Sequence, residues 1–311
     1  MRYDVPHGLM FHHFWDQKHV NGQGAITADQ FEKLIVRYLE SHHILKARDW
    51  MERAQSGTLE ARDICLTFDD ALLCQYDIAL PVMQQHDLTA FWFVYTSVVT
   101  GGVEMLEIYR TFRTIAFDDI DSFYQAFFDC VEGTEFGAAV SSALRVFDPD
   151  EFLAEFPFYT VADKNFRFVR DDVLGPASYD QVMELLMKTH HMEVESLRHD
   201  LWMNESHLRE LAANDHVIGL HSYTHPTRLG EMPRSQQQEE YERNQKDLND
   251  ILDQEISTVS HPCNSYTKET LGILAGLGVQ LGFRANMEDH RHSPFEYPRE
   301  DHANIVKRLL L

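Results

Sequence analysis

Cysteine is scarce. The four present, Cys65, Cys74, Cys130 and Cys263, form no CxxC pair and lack the spacing of a disulfide-stapled secreted module, which suits free thiols in a reducing compartment. Long apolar runs are absent too. Nowhere do eighteen or so apolar residues follow one another, and Met1-Arg2-Tyr3-Asp4-Val5-Pro6-His7 has no apolar signal core, so a cytoplasmic protein without a membrane span is expected. Glycine and proline number only 15 and 10, which excludes a collagen-like or low-complexity chain. Positive charge is the largest deficit. Lys plus Arg is 27 against 50 Asp plus Glu, a net charge of −23 that would repel nucleic-acid backbones and anionic membranes.

What is present is an ordinary folding composition of 311 residues, 44% apolar, enough for one large α/β domain. Gly8 to Phe11 reads as a short buried strand ending in His12-His13. Thr27-Ala28-Asp29-Gln30 is a capping box, and Phe31, Leu34, Ile35, Tyr38 and Leu39 follow at helical spacing. Ile64 to Phe68 is a second strand, stopping at Asp69-Asp70. A helix through Ile78, Leu80 and Met83 precedes a strand from Thr89 to Tyr95. The alternation resumes with a strand at Val217 to Leu220, a helix from about Gln236 to Leu252 and a strand at Ile256 to Ser260. A helix near Leu271 to Leu277, a strand at Val279 to Phe283 and an end strand near Tyr297 complete it. Repeated βα units predict a parallel sheet or barrel with helices outside. Between about 101 and 203 the rhythm gives way to aromatic and acidic helical stretches, a helical insertion that should supply no metal ligand.

Two strand ends carry the chemistry. Asp69-Asp70 stands where a barrel strand ends, the usual place for catalytic groups, and adjacent carboxylates repel unless a cation or proton lies between them; alone, the pair is also an ordinary turn or cap. His221-Ser222-Tyr223-Thr224-His225-Pro226 follows another strand. Pro226 disfavours helix at His225, so a strand-to-loop corner is expected, and two imidazoles with one carboxylate make a facial set that leaves metal positions open. Alone, two surface histidines among 18 would explain this motif as well.

Together, a strand ending in TFDD and a later strand ending in HSYTHP resemble the polysaccharide deacetylase family, also called the NodB homology domain or carbohydrate esterase family 4, over about residues 5 to 100 and 200 to 305. The resemblance implies a single NodB-like distorted (β/α) barrel over 1–311 with the helical insertion at about 101–203. It implies that Asp69 is the catalytic base, that Asp70, His221 and His225 hold a divalent metal, usually zinc, and that a backbone N–H near Cys263 serves the oxyanion.

The sequence departs from the family in three places. Ala71 replaces the glycine that commonly follows the two aspartates. Ser260 stands where the family has the arginine that orients the catalytic Asp, which leaves Arg284 or, preferably, Arg299 for that role. No terminal Leu-x-His element supplies the general acid, for which His302, His12 and His13 are the candidates, His12 being expected near the metal because Phe11-His12 resembles the Tyr-His of extended members. The expected reaction is removal of an acetyl or formyl group from an amino-sugar of a surface polysaccharide, such as lipopolysaccharide, or of its cytoplasmic precursor. Aromatic residues of the insertion could stack on sugar rings, although most read as helix core. The rival readings are an inactive carbohydrate-binding member of the same fold and a metal-dependent phosphoesterase, the latter weakened by the lack of a second Asp/His cluster.

Overall fold

A computed structural model describes residues 5–154, 159–288 and 293–309. Along the chain run β1 (His7–Phe11), α1 (Ala28–Leu39), β2 (His43–Ile44), α2 (Ala47–Ser56), β3 (Asp63–Asp69), a π-helical turn Gln75–Ala79, α3 (Leu80–Gln85), β4 (Ala90–Val94) and α4 (Thr96–Val99). Next come α5 (Met105–Ala116), α6 (Ile120–Glu132), α7 (Gly137–Leu144), α8 (Val161–Phe168), α9 (Gly175–Thr189), α10 (Val194–Leu197) and α11 (Glu205–Ala213). The chain closes with β5 (Val217–Leu220), α12 (Arg234–Leu252), β6 (Thr258–Ser260), α13 (Lys268–Gly276), β7 (Leu281–Phe283), β8 (Arg299–Asp301) and α14 (His302–Leu309).

The strands form one parallel sheet of eight, in the order β7-β6-β5-β4-β3-β1-β8, with β2 paired to the start of β3. The sheet nearly closes on itself. Just before β8, Tyr297 bridges to Phe283 at the end of β7, donating to Gly282 O (2.9 Å) and accepting from Arg284 N–H (3.0 Å). The result is the barrel with outer helices that the alternating pattern predicts.

Strand side chains alternate between two cores. Cys65, Phe91, Phe93, Leu281, Phe283 and Tyr297 gather with Trp50 of α2. Leu66, Phe68, Trp92, Val94, Ile218, Leu220 and Val259 form part of a larger cluster with residues of the helices. Burial on both faces is why β3 and β4 read as continuous apolar runs rather than alternating ones. On β3 the alternation places Asp69 in step with Cys65 and Thr67.

Two strands are shorter than the apolar runs suggest, because their first residues bond elsewhere. Ile256 N–H donates to the Asn249 side chain (2.9 Å), and Val279 N–H returns to Leu274 O at the end of α13 (3.1 Å). The capping box predicted at Thr27 and Gln30 forms at the start of α1. The expected end strand lies at Arg299–Asp301, two residues beyond Tyr297.

The chain divides into two compact units: residues 1–19, 24–104 and 200–311, which hold the barrel, and residues 20–23 with 105–199. The second unit is helical throughout its described elements, α5 to α10, around a core that includes Phe112, Phe123, Phe127, Phe166, Tyr179 and Val182.

The barrel is also pinned by a buried histidine. His216 Nδ1 accepts from both Ala90 N–H and Trp92 Nε1–H, each at 3.0 Å, so its proton sits on Nε2. Burial lowers its pKa from 6.5 to about 4. The unfolded chain therefore binds the extra proton first, and the stability held above about pH 6.5 is lost as pH falls through about 4. Between pH 7 and pH 5 the wild type should lose on the order of 1–2 kcal/mol in urea unfolding that His216→Gln does not lose. Parallel pH dependences for the two proteins would contradict this assignment.

Candidate metal centre and active site

At the C-terminal end of β3 the backbone turns abruptly. Asp70 and Ala71 have φ of 79° and 55°, a left-handed conformation that costs an L-residue about 1–2 kcal/mol and explains why glycine is common at the second position. The turn separates the two carboxylates. Asp69 keeps the strand alternation, whereas Asp70, anchored by its N–H to Phe93 O (3.1 Å), reaches the histidines that follow β5.

Those histidines lie in a loop, as expected from Pro226, although His225 is left-handed at φ 59° rather than extended. Its N–H donates to Ser222 Oγ (3.0 Å), and its ring lies 5.1 Å from that of Tyr95. His221 is held by Asn244 of α12, whose Oδ1 accepts from His221 N–H (2.9 Å) while its Nδ2 donates to Val94 O (2.9 Å). His221 Nδ1 lies 2.9 Å from Ser260 O, so a proton on Nδ1 directs the Nε2 lone pair toward Asp70.

Asp70 Oδ1 lies 3.4 Å from both His221 Nε2 and His225 Nε2, is buried, and has no hydrogen-bond partner. The three ligand atoms lie within 4.8 Å of one another. Separations of 3.4 Å are close to the edge of roughly 3.3–3.4 Å that tetrahedral zinc with bonds of ~2.0–2.1 Å requires. The donor set and the orphaned oxygen thus fit a divalent cation. His43, Glu60 and Asp63 also cluster, but Asp63 Oδ2 is already occupied by Arg53 Nη1 (3.1 Å) and Glu60 N–H (2.9 Å).

Asp69 has different partners. Arg299 Nη1 and Nη2 donate to its two oxygens, each at 2.7 Å, and Arg299 Nη2 also donates to Ser260 Oγ (2.6 Å), which in turn donates to Asp69 Oδ2 (3.2 Å). Of the two candidate arginines, Arg299 therefore meets Asp69. Arg284 contributes its carbonyl, which accepts from Arg299 Nε (2.8 Å).

The electrostatics follow these contacts. Burial would raise the Asp69 pKa, but Arg299, then His221, outweigh it and hold the carboxyl below its ordinary value. Asp70 is also lowered, burial being overcome by His225 and His221. Burial dominates at His225 and takes its pKa to about 4, whereas at His221 the charges of Asp69 and Asp70 more than offset burial and raise it. A divalent cation would compete with a proton at His221.

The remaining sequence candidates are placed less uniformly. His12 Nε2 lies 4.0 Å from Asp69 Oδ2, with about a quarter of the side chain exposed (26%). His302 heads α14 and is buried, its ring nitrogens facing Met10 O (3.3 Å) and Gly24 O (2.9 Å), so it serves the fold more directly than His12 does. Cys263 is exposed, in the short turn Pro262–Asn264, with φ 49°.

Two positioning residues escaped the sequence reading. Asn244 shares the buried stripe of α12 with Gln237, Tyr241, Leu248 and Ile251, and a polar residue at helical spacing within that stripe was the available signal. Gln75 is fully buried, and its Nε2 donates to both His12 O (2.8 Å) and Asp69 O (2.6 Å); nothing in the sequence marks it.

If the cluster holds a cation, zinc retained after dialysis should fall to background in Asp70→Asn and in His225→Ala, measured by elemental analysis. Retention at wild-type levels in both variants would contradict the assignment.

The family model described as polysaccharide deacetylase matches residues 171–282, a span that includes His221 and His225 but not Asp69 or Asp70. No curated protein matches the chain. Among solved structures it is similar to a Streptococcus pyogenes deacetylase, PplD, in complex with acetate, at 15% identity and a TM-score of 0.55, over 96% of this chain and 91% of that one. It is similar to IcaB from Ammonifex degensii at 14% identity and a TM-score of 0.55, over 96% and 90% of the two chains. The BpsB deacetylase domain from Bordetella bronchiseptica gives 14% identity and a TM-score of 0.52, over 95% of each. The resemblance to the polysaccharide deacetylase family, read first from two strand-end motifs, is thus met again in a family-model match to part of the chain and in a fold shared with solved deacetylases.

Proposed function

We propose that this chain is a metal-dependent hydrolase that removes an N-acyl group, acetyl or formyl, from an amino-sugar of a surface polysaccharide or its precursor. The observation that carries the reading is the buried, unbonded Asp70 Oδ1, 3.4 Å from two imidazole nitrogens, beside a second carboxylate gripped by an arginine. The helical segment at about 101–203 is read as an insertion within one such domain. Four free cysteines suit a reducing compartment.

Asp70, His221 and His225 would hold the ion. When bound, a divalent metal, zinc being the usual choice for this donor set, polarises an acyl carbonyl and acidifies water. Asp69 accepts the proton of the attacking water. It is suited to this because Arg299 fixes its plane and keeps it ionised, and because Asp70 already supplies the carboxylate of the metal set. The C–N bond breaks as the amine takes a proton, and His12 is the best-placed imidazole to donate it. Products are a free amino-sugar and the carboxylate. The donor to the developing oxyanion would be a backbone N–H at Cys263, and Arg299 acts through Asp69 rather than on the substrate.

Asp69→Asn should retain zinc while turnover of an N-acetylated or N-formylated glucosamine oligomer falls ~10²–10⁴-fold. Near wild-type turnover in Asp69→Asn would remove Asp69 as the base, and zinc-loaded wild type inert toward both acyl groups would count against the function itself.

A further inference from the structure

The loop from His221 to His225 carries two of the three proposed metal ligands, and its backbone belongs to neither helix nor strand. Ser222 and His225 are both left-handed, with φ of 62° and 59°, a conformation that L-residues keep only where the surroundings impose it. Ser222 Oγ accepts from His225 N–H (3.0 Å), which closes the turn between them but does not fix it to the barrel.

That constraint comes from α12. Asn244 accepts from His221 N–H (2.9 Å), and Glu240, one turn earlier on the same helix face, takes the next part of the loop. Its Oε2 accepts from Tyr223 N–H (2.9 Å) and Thr224 N–H (2.8 Å), and its Oε1 accepts from the Thr224 hydroxyl (2.7 Å). On the other side, Tyr223 O accepts from Ser97 N–H of α4 (3.0 Å), and the Arg243 guanidinium lies 3.6 Å from the centroid of the Tyr223 ring. The amides of His221, Tyr223, Thr224 and His225 therefore all end on side-chain oxygens, and the first three of those oxygens belong to α12. Bonds from N–H to a carboxylate are roughly twice as strong as those to a neutral acceptor, so Glu240 is the strongest of these anchors.

We propose that Glu240 is a positioning residue that sets the His221–His225 loop in its metal-binding form before any ion arrives. A site whose competent form is only partly populated binds more weakly by that fraction, and the three bonds to Glu240 keep the loop in that form. The inference rests on the reading of Asp70, His221 and His225 as a metal set. It adds the α12 carboxylate as the group through which the helix holds both histidines in register.

Hydrogen exchange of the metal-free full-length protein tests the preset loop without metal or turnover. The Tyr223 and Thr224 amides should be protected in the wild type and should exchange roughly 10- to 100-fold faster in Glu240→Ala, the worth of bonds to a charged group. Glu240→Gln keeps an amide oxygen for both N–H groups and turns its own amide nitrogen to the Thr224 hydroxyl. It should retain most of the protection, and it covers the case in which Glu240→Ala does not fold. Zinc affinity, measured by competition with a chelator, should follow the same order, roughly 10- to 100-fold weaker in Glu240→Ala and within a few-fold of wild type in Glu240→Gln. Asn249→Ala removes an α12 bond to Ile256 N–H away from the loop, so it should lower stability in urea while leaving zinc affinity and the exchange of both amides unchanged. A wild type that binds no zinc would sink the metal set, yet protection lost in Glu240→Ala would still uphold the preset loop. Unprotected amides in the metal-free wild type, equal losses in Glu240→Gln and Glu240→Ala, or undiminished zinc affinity in Glu240→Ala overturns the proposal.

Discussion

The barrel is organised around one buried ion pair. Arg299 is fully buried and Asp69 nearly so, and two parallel 2.7 Å bonds join them. Removing both charges from water is expensive, and only paired geometry with the remaining donors satisfied offsets it. That condition is met: Nε bonds to Arg284 O, while Nη1 and Nη2 also reach Thr67 and Ser260. The pair needs β8 beside β1, with Gly8 opposite Arg299. A Cβ on Gly8 would meet Arg299 Cγ at 3.0 Å and Thr67 Cγ2 at 3.1 Å, so the missing side chain is what lets the arginine pass. The next residue of β8, Glu300, bonds Arg308 of α14 (2.7 Å) and accepts from Tyr38 of α1 (3.2 Å), tying the strand to two helices.

This constraint also resolves the repulsion between Asp69 and Asp70. Each has its own partner, the Arg299 guanidinium for Asp69 and the imidazoles of His221 and His225 for Asp70, and the left-handed turn at Asp70 and Ala71 divides them. Strain at such a turn is what a fold retains where two neighbouring side chains must do different work. Asn244 and Gln75 then fix the backbone at His221, Val94, His12 and Asp69, while Ser260 Oγ joins the Asp69 and Arg299 side chains, so that groups proposed for metal binding and proton transfer are held by bonds to the barrel and its outer helices.

Much of this was legible in the sequence because parallel strands buried on both faces announce themselves as short apolar runs, and their polar ends mark the rim that carries the candidate site. TFDD and HSYTHP therefore located Asp69, Asp70, His221 and His225 together. The β8 strand was harder to place. Its residues Arg299, Glu300 and Asp301 carry no apolar signal, and its position follows from barrel closure through Tyr297, a tertiary event. The same holds for the choice of Arg299 over Arg284, since sheet register alone decides which one faces Asp69. Helix α2 went unnoticed because only Ala47 and Trp50 of it are buried, too few for a periodic stripe.

The dependence of the barrel on this pair is tested most directly by a double-mutant cycle between Asp69 and Arg299, read as unfolding free energy in urea. Removing either partner leaves an uncompensated buried charge, so Asp69→Asn and Arg299→Gln should each cost on the order of 3–5 kcal/mol. The double variant should cost less than their sum by at least about 1 kcal/mol, as expected of groups in direct contact. Additive losses, or a negligible loss in Arg299→Gln, would mean that the barrel does not rest on this pair.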